Sequence, residues 1–179
     1  MYRLFVAIDL PEQIKEEIAA FSRTLTGARW VPMEQFHLTI RFIGDVDEKT
    51  FQLIREALKR VSGAPFHLTL RDTGHFPQGR EPRVLWIGME KSPMLVHLQE
   101  RVERAVIAAG IPPETRRFSP HITLARLRNS SAAEVSEWEQ RQAAFRDPVF
   151  PVDEFHLYSS SLTRDGAIHR REATYPLAG

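Results

Sequence analysis

Two segments carry side chains that could do chemistry together. Phe36-His37-Leu38-Thr39-Ile40-Arg41-Phe42 and Pro120-His121-Ile122-Thr123-Leu124-Ala125-Arg126 both read His, any residue, Thr, aliphatic. Imidazole ordinarily titrates near pH 6.5, so two in one cleft can be held one neutral and one protonated. That pair supplies a general base and a general acid at once, each contributing roughly 10²–10⁴-fold. Threonine hydroxyls can donate to the anionic oxygens of a phosphate, and arginine can neutralise its charge. In-line displacement at phosphorus needs a proton removed from the attacking oxygen and another delivered to the leaving one. Two histidines on opposite sides of one phosphate do both without a metal. Phe66-His67-Leu68-Thr69-Leu70 has the same form, so two of three copies have to be chosen on physical grounds.

Each copy looks like a β-strand. Successive strand residues face opposite ways, which puts His37 and Thr39 on one side with Arg41 on the same parity. Leu38 and Ile40 then face a core. His121 and Thr123 share a face likewise, while strict alternation sends Arg126 to the opposite one; it reaches the cleft only if the strand ends or bulges near Ala125. A lone His-x-Thr is a weak signal. Its weight depends on what positions it.

The surrounding elements can be read from periodicity. Arg3 to Asp9 is a short apolar strand. Pro11 and early acids open a helix over 11–25, with Ile14, Ile18, Phe21 and Leu25 on one face. The first motif strand spans about 35–43. A helix at 47–61 and the strand of His67 at 65–71 follow, then a turn-rich loop at 73–82. Arg83 to Met89 is another strand, 92–109 a helix, and 117–126 the second motif strand. A helix at 132–145 precedes strands near 149–158, 159–163 and 168–175, with Asp165-Gly166 turning the last hairpin.

The two halves repeat this order. Arg3 and Arg83 are 80 residues apart, Pro11 and Pro93 are 82, and His37 and His121 are 84. A slowly drifting offset is what duplication with small loop insertions produces. His37 and His121 are thus a matched pair with complete motifs. His67 pairs with His156, where Phe155-His156-Leu157-Tyr158 lacks the threonine. His67 is read as a solvated strand residue.

Composition narrows the classes. The chain has 179 residues, 42% apolar and 26% charged, with a net charge of +1. This is the composition of a globular domain, and it excludes a polybasic protein that coats DNA. With no cysteine, disulfides, thiolate chemistry and Cys-ligated zinc are out. Among seven histidines there is no His-x-His, no His-Glu-x-x-His and no dense acidic cluster, so neither metal nor cofactor is expected. The apolar run Leu4–Ile8 is too short for a signal-peptide core, and no stretch approaches a membrane span. The expectation is a cytoplasmic monomer.

These residues resemble the 2H phosphoesterase superfamily, named for two His-x-Thr/Ser motifs, and its RNA 2′,3′-cyclic phosphodiesterase (2′-5′ RNA ligase-like) branch most. The likeness covers nearly the whole chain. It takes in Arg3–Ile8, Phe36–Gly44, Phe76-Pro77, Arg83–Gly88, Phe118–Arg126 and Tyr175-Pro176-Leu177. It implies an α+β, bilobal, LigT-like fold: one domain over 1–179, made of two pseudo-symmetric lobes. Their antiparallel sheets would line a central cleft, with helices outside. It further implies metal-independent opening of a terminal RNA 2′,3′-cyclic phosphate to a 2′-phosphomonoester. His37 would be the proton donor, His121 the base, Thr39 and Thr123 the phosphate-oxygen ligands, and Arg126 a phosphate support, with Arg41 a further substrate-binding candidate. Where the family often has tyrosine, three residues after the glycine of the last hairpin, this chain has His169, which could alter nucleotide preference but is read as a solvated hairpin residue.

Alternatives share or discard this chemistry. The substrate could be another cyclic phosphate or a 2′-5′-linked oligonucleotide, or the reaction could run backwards as ligation. ATP-driven ligation has no support, since no Walker-type Gly-Lys-Thr is present. A non-catalytic binder of RNA ends would need the arginines but not two titrating imidazoles.

Overall fold

The computed structural model describes residues 1–20, 24–79, 81–142 and 147–178. The chain runs β1 (Tyr2–Asp9), α1 (Glu12–Ala19), β2 (Ala28–Trp30), a 3₁₀ turn (Met33–Gln35), β3 (His37–Val46), α2 (Glu48–Leu58), β4 (Phe66–Phe76) and β5 (Val84–Met89). It continues with α3 (Pro93–Ala108), β6 (Ile122–Leu127), α4 (Ala132–Arg141), β7 (Val149–Val152), β8 (Glu154–Thr163) and β9 (Gly166–Pro176). The strands form two antiparallel sheets, ordered β3-β1-β8-β9 and β2-β6-β5-β4-β7. The fold is α+β, with two sheets as expected.

Helix starts follow local chemistry. Asp47 caps α2 by accepting from Thr50 N at 2.8 Å, Ser92 caps α3 from Leu95 N at 3.2 Å, and Ser131 caps α4 from Glu134 N at 3.1 Å. Each such cap stabilises its helix by about 1 kcal/mol. The helices bury one stripe each, Phe51, Ile54 and Leu58 on α2 and Leu95, Leu98, Val102 and Val106 on α3. α2 and α3 touch each other, and α3 also touches β3.

Several boundaries differ from the sequence reading. α1 ends at Ala19, not 25; Phe21, assigned to its apolar face, lies outside the described residues, as do Arg80 and the end of the 132–145 helix. Leu25 is buried beyond the helix, ahead of Gly27 at φ +78. A Cβ on Gly27 would stand 2.1 Å from the Arg128 carbonyl oxygen, so only glycine lets the chain enter β2 alongside β6. β2 itself has three residues and was not predicted. β4 continues to Phe76, through Asp72 at φ +63 and a register shift, so the first four residues of the expected 73–82 loop are strand. The last turn is Arg164-Asp165, because Gly166 already pairs with Thr163.

The halves are interleaved. Residues up to Phe76 supply β1 and β3 to the first sheet but β2 and β4 to the second. Later residues supply β5, β6 and β7 to the second but β8 and β9 to the first. Register shows which positions correspond. Thr39 pairs with Ala7 and Thr123 with Trp86. Ala7 pairs on its other side with His156, and Trp86 with Gly74. His156 therefore corresponds to Gly74 rather than to His67, which is exposed opposite Pro151 at the far end of β4.

Candidate active site

β3 and β6 carry the same irregularity one residue past the motif threonine. On β3, Thr39 pairs with Ala7 and Arg41 with Val6, leaving Ile40 extra. On β6, Thr123 pairs with Trp86 and Ala125 with Leu85, leaving Leu124 extra. Such bulges reverse which face the following residues occupy. The burial along 37–42 and 121–126 is correspondingly the same: His partly open, next residue buried, Thr partly open, two buried, one exposed.

The reversal corrects one site residue and brings in another. Arg41, expected beside His37, is turned to the helix side and is only 6% exposed. Its guanidinium binds Glu103 of α3 at 2.5 and 3.2 Å and the Pro112 carbonyl at 2.6 Å. It ties β3 to α3 and does not face the cleft. Arg126, which needed a bulge near Ala125 to share a face with His121 and Thr123, has one and is exposed there. The position matching Arg126 on β3 is Phe42, with the Arg3 guanidinium 4.9 Å over its ring.

Both imidazoles are held the same way. His37 Nδ1 lies 2.7 Å from the Gln35 carbonyl oxygen, and His121 Nδ1 lies 2.7 Å from that of Ser119. A carbonyl can only accept, so Nδ1 must carry the proton. Nε2 of each ring is then the nitrogen that can take up or release a proton, basic when the ring is neutral and acidic when it is charged.

The surroundings of the rings differ. His37 stacks on Phe5 at 4.9 Å, Phe5 stacks on Tyr158 at 5.2 Å, and His169 stands edge-on to His37 at 5.4 Å. Burial in this cluster, with help from His169 and Lys15, lowers the His37 pKa to about 4 against the opposing pull of the Gln35 carbonyl and Asp9. Burial lowers the His169 pKa as well. His121 meets Phe76 edge-on at 5.2 Å and lies 6.4 Å from Trp86. The indole of Trp86 lies on Gly74, where a Cβ would come within 2.3 Å of the ring.

Contacts join the two clusters. β3 meets β6 where the sheets adjoin, and Val31 N donates to Leu124 O at 2.8 Å. From the β8–β9 hairpin, the Ala167 carbonyl accepts from Gln35 Nε2, and Gly166 lies beside the Arg29 guanidinium. Arg29 is the β2 partner of Arg126 and so shares its face. This puts two exposed arginines at paired positions on β2 and β6. Sequence reasoning missed Arg29 because β2 was not recognised. It also passed over Tyr158 and Arg171, whose place beside His37 depends on strand order.

The fold and site define an α+β phosphoesterase built on a repeated His-x-Thr strand. A model of the family described as "LigT like Phosphoesterase" matches residues 8–86 and again 87–169. The RNA 2′,3′-cyclic phosphodiesterase of Thermotoga maritima is 36% identical, over 94% of this chain and 91% of that protein. The protein of the same name from Escherichia coli is 34% identical, over 90% and 89%. Among solved structures, E. coli LigT complexed with 3′-AMP superposes with a TM-score of 0.80 at 30% identity, covering 99% of both chains. The chain belongs to the LigT-like phosphoesterase family.

Proposed function

We propose that this protein is an RNA 2′,3′-cyclic phosphodiesterase, hydrolysing a terminal cyclic phosphate to a 2′-phosphomonoester. The observation that carries the reading is the matched pair of Nδ1-anchored imidazoles, each followed by a threonine and a bulge at the same place. The names of the relatives support the substrate.

In this reading neutral His121 takes a proton from water at Nε2, and the water oxygen attacks phosphorus. The bond to O3′ breaks as Nε2–H of His37 protonates that oxygen, leaving the phosphate on O2′. Proton exchange with solvent resets both rings. Thr39 and Thr123 hold the phosphate oxygens, while Arg126, joined by Arg29, offsets their charge. Without an anion beside it His37 is neutral at pH 7, since burial holds its pKa near 4. The anionic phosphate must therefore draw its proton in, as an opposite charge nearby does. Arg41 has no part, being committed to Glu103. The protein acts as a cytoplasmic monomer, one domain of two repeat-related lobes.

The test is hydrolysis in EDTA of an oligonucleotide ending in a 2′,3′-cyclic phosphate, with the product isomer identified. His37→Ala and His121→Ala should each abolish turnover, and retained activity in either would sink the mechanism. His67→Ala should stay near wild type. A binder without catalysis would retain the oligonucleotide and release it unchanged.

A further inference from the structure

We propose that the pocket beside His37 receives the terminal nucleobase, and that Glu34 at its rim selects bases with hydrogen-bond donors on their Watson–Crick edge, guanine above all. This rests on the phosphodiesterase reading above. The pocket encloses about 410 Å³ and is bordered by Asp9, Glu34, His37, Tyr158, His169 and Arg171. That is the size of a small-ligand site. Its place decides what enters. His37 protonates an oxygen of the terminal ribose, so the base on that ribose lies on the His37 side of the cleft.

The walls suit a flat, polar ring. Tyr158 is backed by Phe5, and His169 stands perpendicular to this row. Unpaired RNA bases are recognised by stacking on such rings and by hydrogen bonds to their edges.

The charges at the rim are unequal in what they have left to give. Asp9 is engaged: Oδ1 meets Lys15 Nζ at 2.9 Å and Oδ2 meets Arg171 Nη2 at 2.7 Å. Glu34 is exposed and has no hydrogen bond or ion pair among the described residues. It sits in the 3₁₀ turn Met33–Gln35, whose Gln35 is fixed by its side chain to Ala167 and offers its carbonyl to His37. One short segment thus orients the catalytic ring and presents a carboxylate to the same pocket. An ionised carboxylate only accepts. Guanine presents N1–H and its 2-amino group side by side, matching both carboxylate oxygens. Adenine and cytosine present one amino group beside an acceptor. Uracil presents one N–H between two carbonyls and fits worst.

The experiment measures kcat/KM in EDTA for dinucleotides ending in G, A, C or U 2′,3′-cyclic phosphate, on the wild type and on Glu34→Gln. Calorimetric binding of 2′-GMP and 2′-UMP is measured on the same two proteins. Wild type should favour guanine over uracil by about 5- to 150-fold, the discrimination one bidentate contact to a base edge supplies. Glu34→Gln should bring the ratio to near parity in turnover and in binding. A preference for uracil, or a guanine preference that survives Glu34→Gln, overturns the assignment. No turnover on any substrate, with Glu34-dependent selectivity for 2′-GMP intact, would remove the phosphodiesterase reading and uphold the base site. If selectivity is missing from binding as well, both fall.

Discussion

His37 should titrate far below a normal histidine in the free protein and rise when an anion enters. The ring is surrounded by Phe5, Tyr158 and His169, and its pKa is lowered from 6.5 to about 4 chiefly by burial. At pH 7 a group titrating near 4 is charged in about one molecule in 10³. An anion a few ångströms away favours the charged ring and raises its pKa, which would return His37 towards its ordinary range. By reciprocity the anion binds about 10- to 1,000-fold more tightly to the protonated ring. The assay is a ¹H–¹⁵N titration of the imidazole resonances, free and saturated with sulfate, whose charge is fixed over this range. His37→Gln assigns the signal. Nδ1 should stay protonated throughout, because it donates to the Gln35 carbonyl. A free His37 titrating near 6.5, or one that sulfate fails to move, would refute the account of how this ring becomes an acid.

Three further outcomes follow from packing and charge. Arg41→Met should cost about 3 kcal/mol in urea unfolding, because it strands the largely buried Glu103 carboxylate, while turnover per folded molecule holds; normal stability with lost turnover would put Arg41 back at the substrate. Gly74→Val should force Trp86 off its seat at a cost of about 1–3 kcal/mol, visible as altered tryptophan emission and slower turnover, and unchanged emission would show that the strand yields instead. His156 is 1% exposed and its pKa is lowered to about 4, first by burial and then by Arg171. The unfolded chain binds that proton near 6.5 and the folded one only near 4, so His156 leaves stability whole above pH 6.5 and erodes it as pH falls towards 4. His156→Phe should flatten the stability profile in that window, and an unchanged slope would count against it.

The parts of the site carried by local pattern were legible in the sequence. His37, Thr39, His121 and Thr123 could be placed on one face of their strands because alternation holds up to the threonine. It fails one residue later, where Ile40 and Leu124 are extra. Arg41 was therefore assigned to the wrong face, whereas Arg126 comes to share the face of His121 only through the bulge. A three-residue strand such as β2 has no period to detect, so Arg29 was missed. β4 was cut short because Gly74 and Pro77 read as a turn, although β5 pairs with it as far as Phe76. The repeat showed in element order, but its fine alignment lay in register, which matches His156 with Gly74. His169 was noticed as a departure from the family pattern. Its contact with His37 joins the two outer strands of a four-stranded sheet and depends on sheet order.

The interleaving of the halves bears on how the protein emerges from the ribosome. When Glu90 has been synthesised the first sheet has only β1 and β3, with the edge of β1 open until β8 arrives. Unpaired edges invite wrong partners, and pairing over long sequence separations is slow. No amino-terminal half can settle early and wait, as an independent domain would. His37 gains Tyr158 and His169 as neighbours only after almost the whole chain has been translated. The surroundings of His37 are therefore completed last.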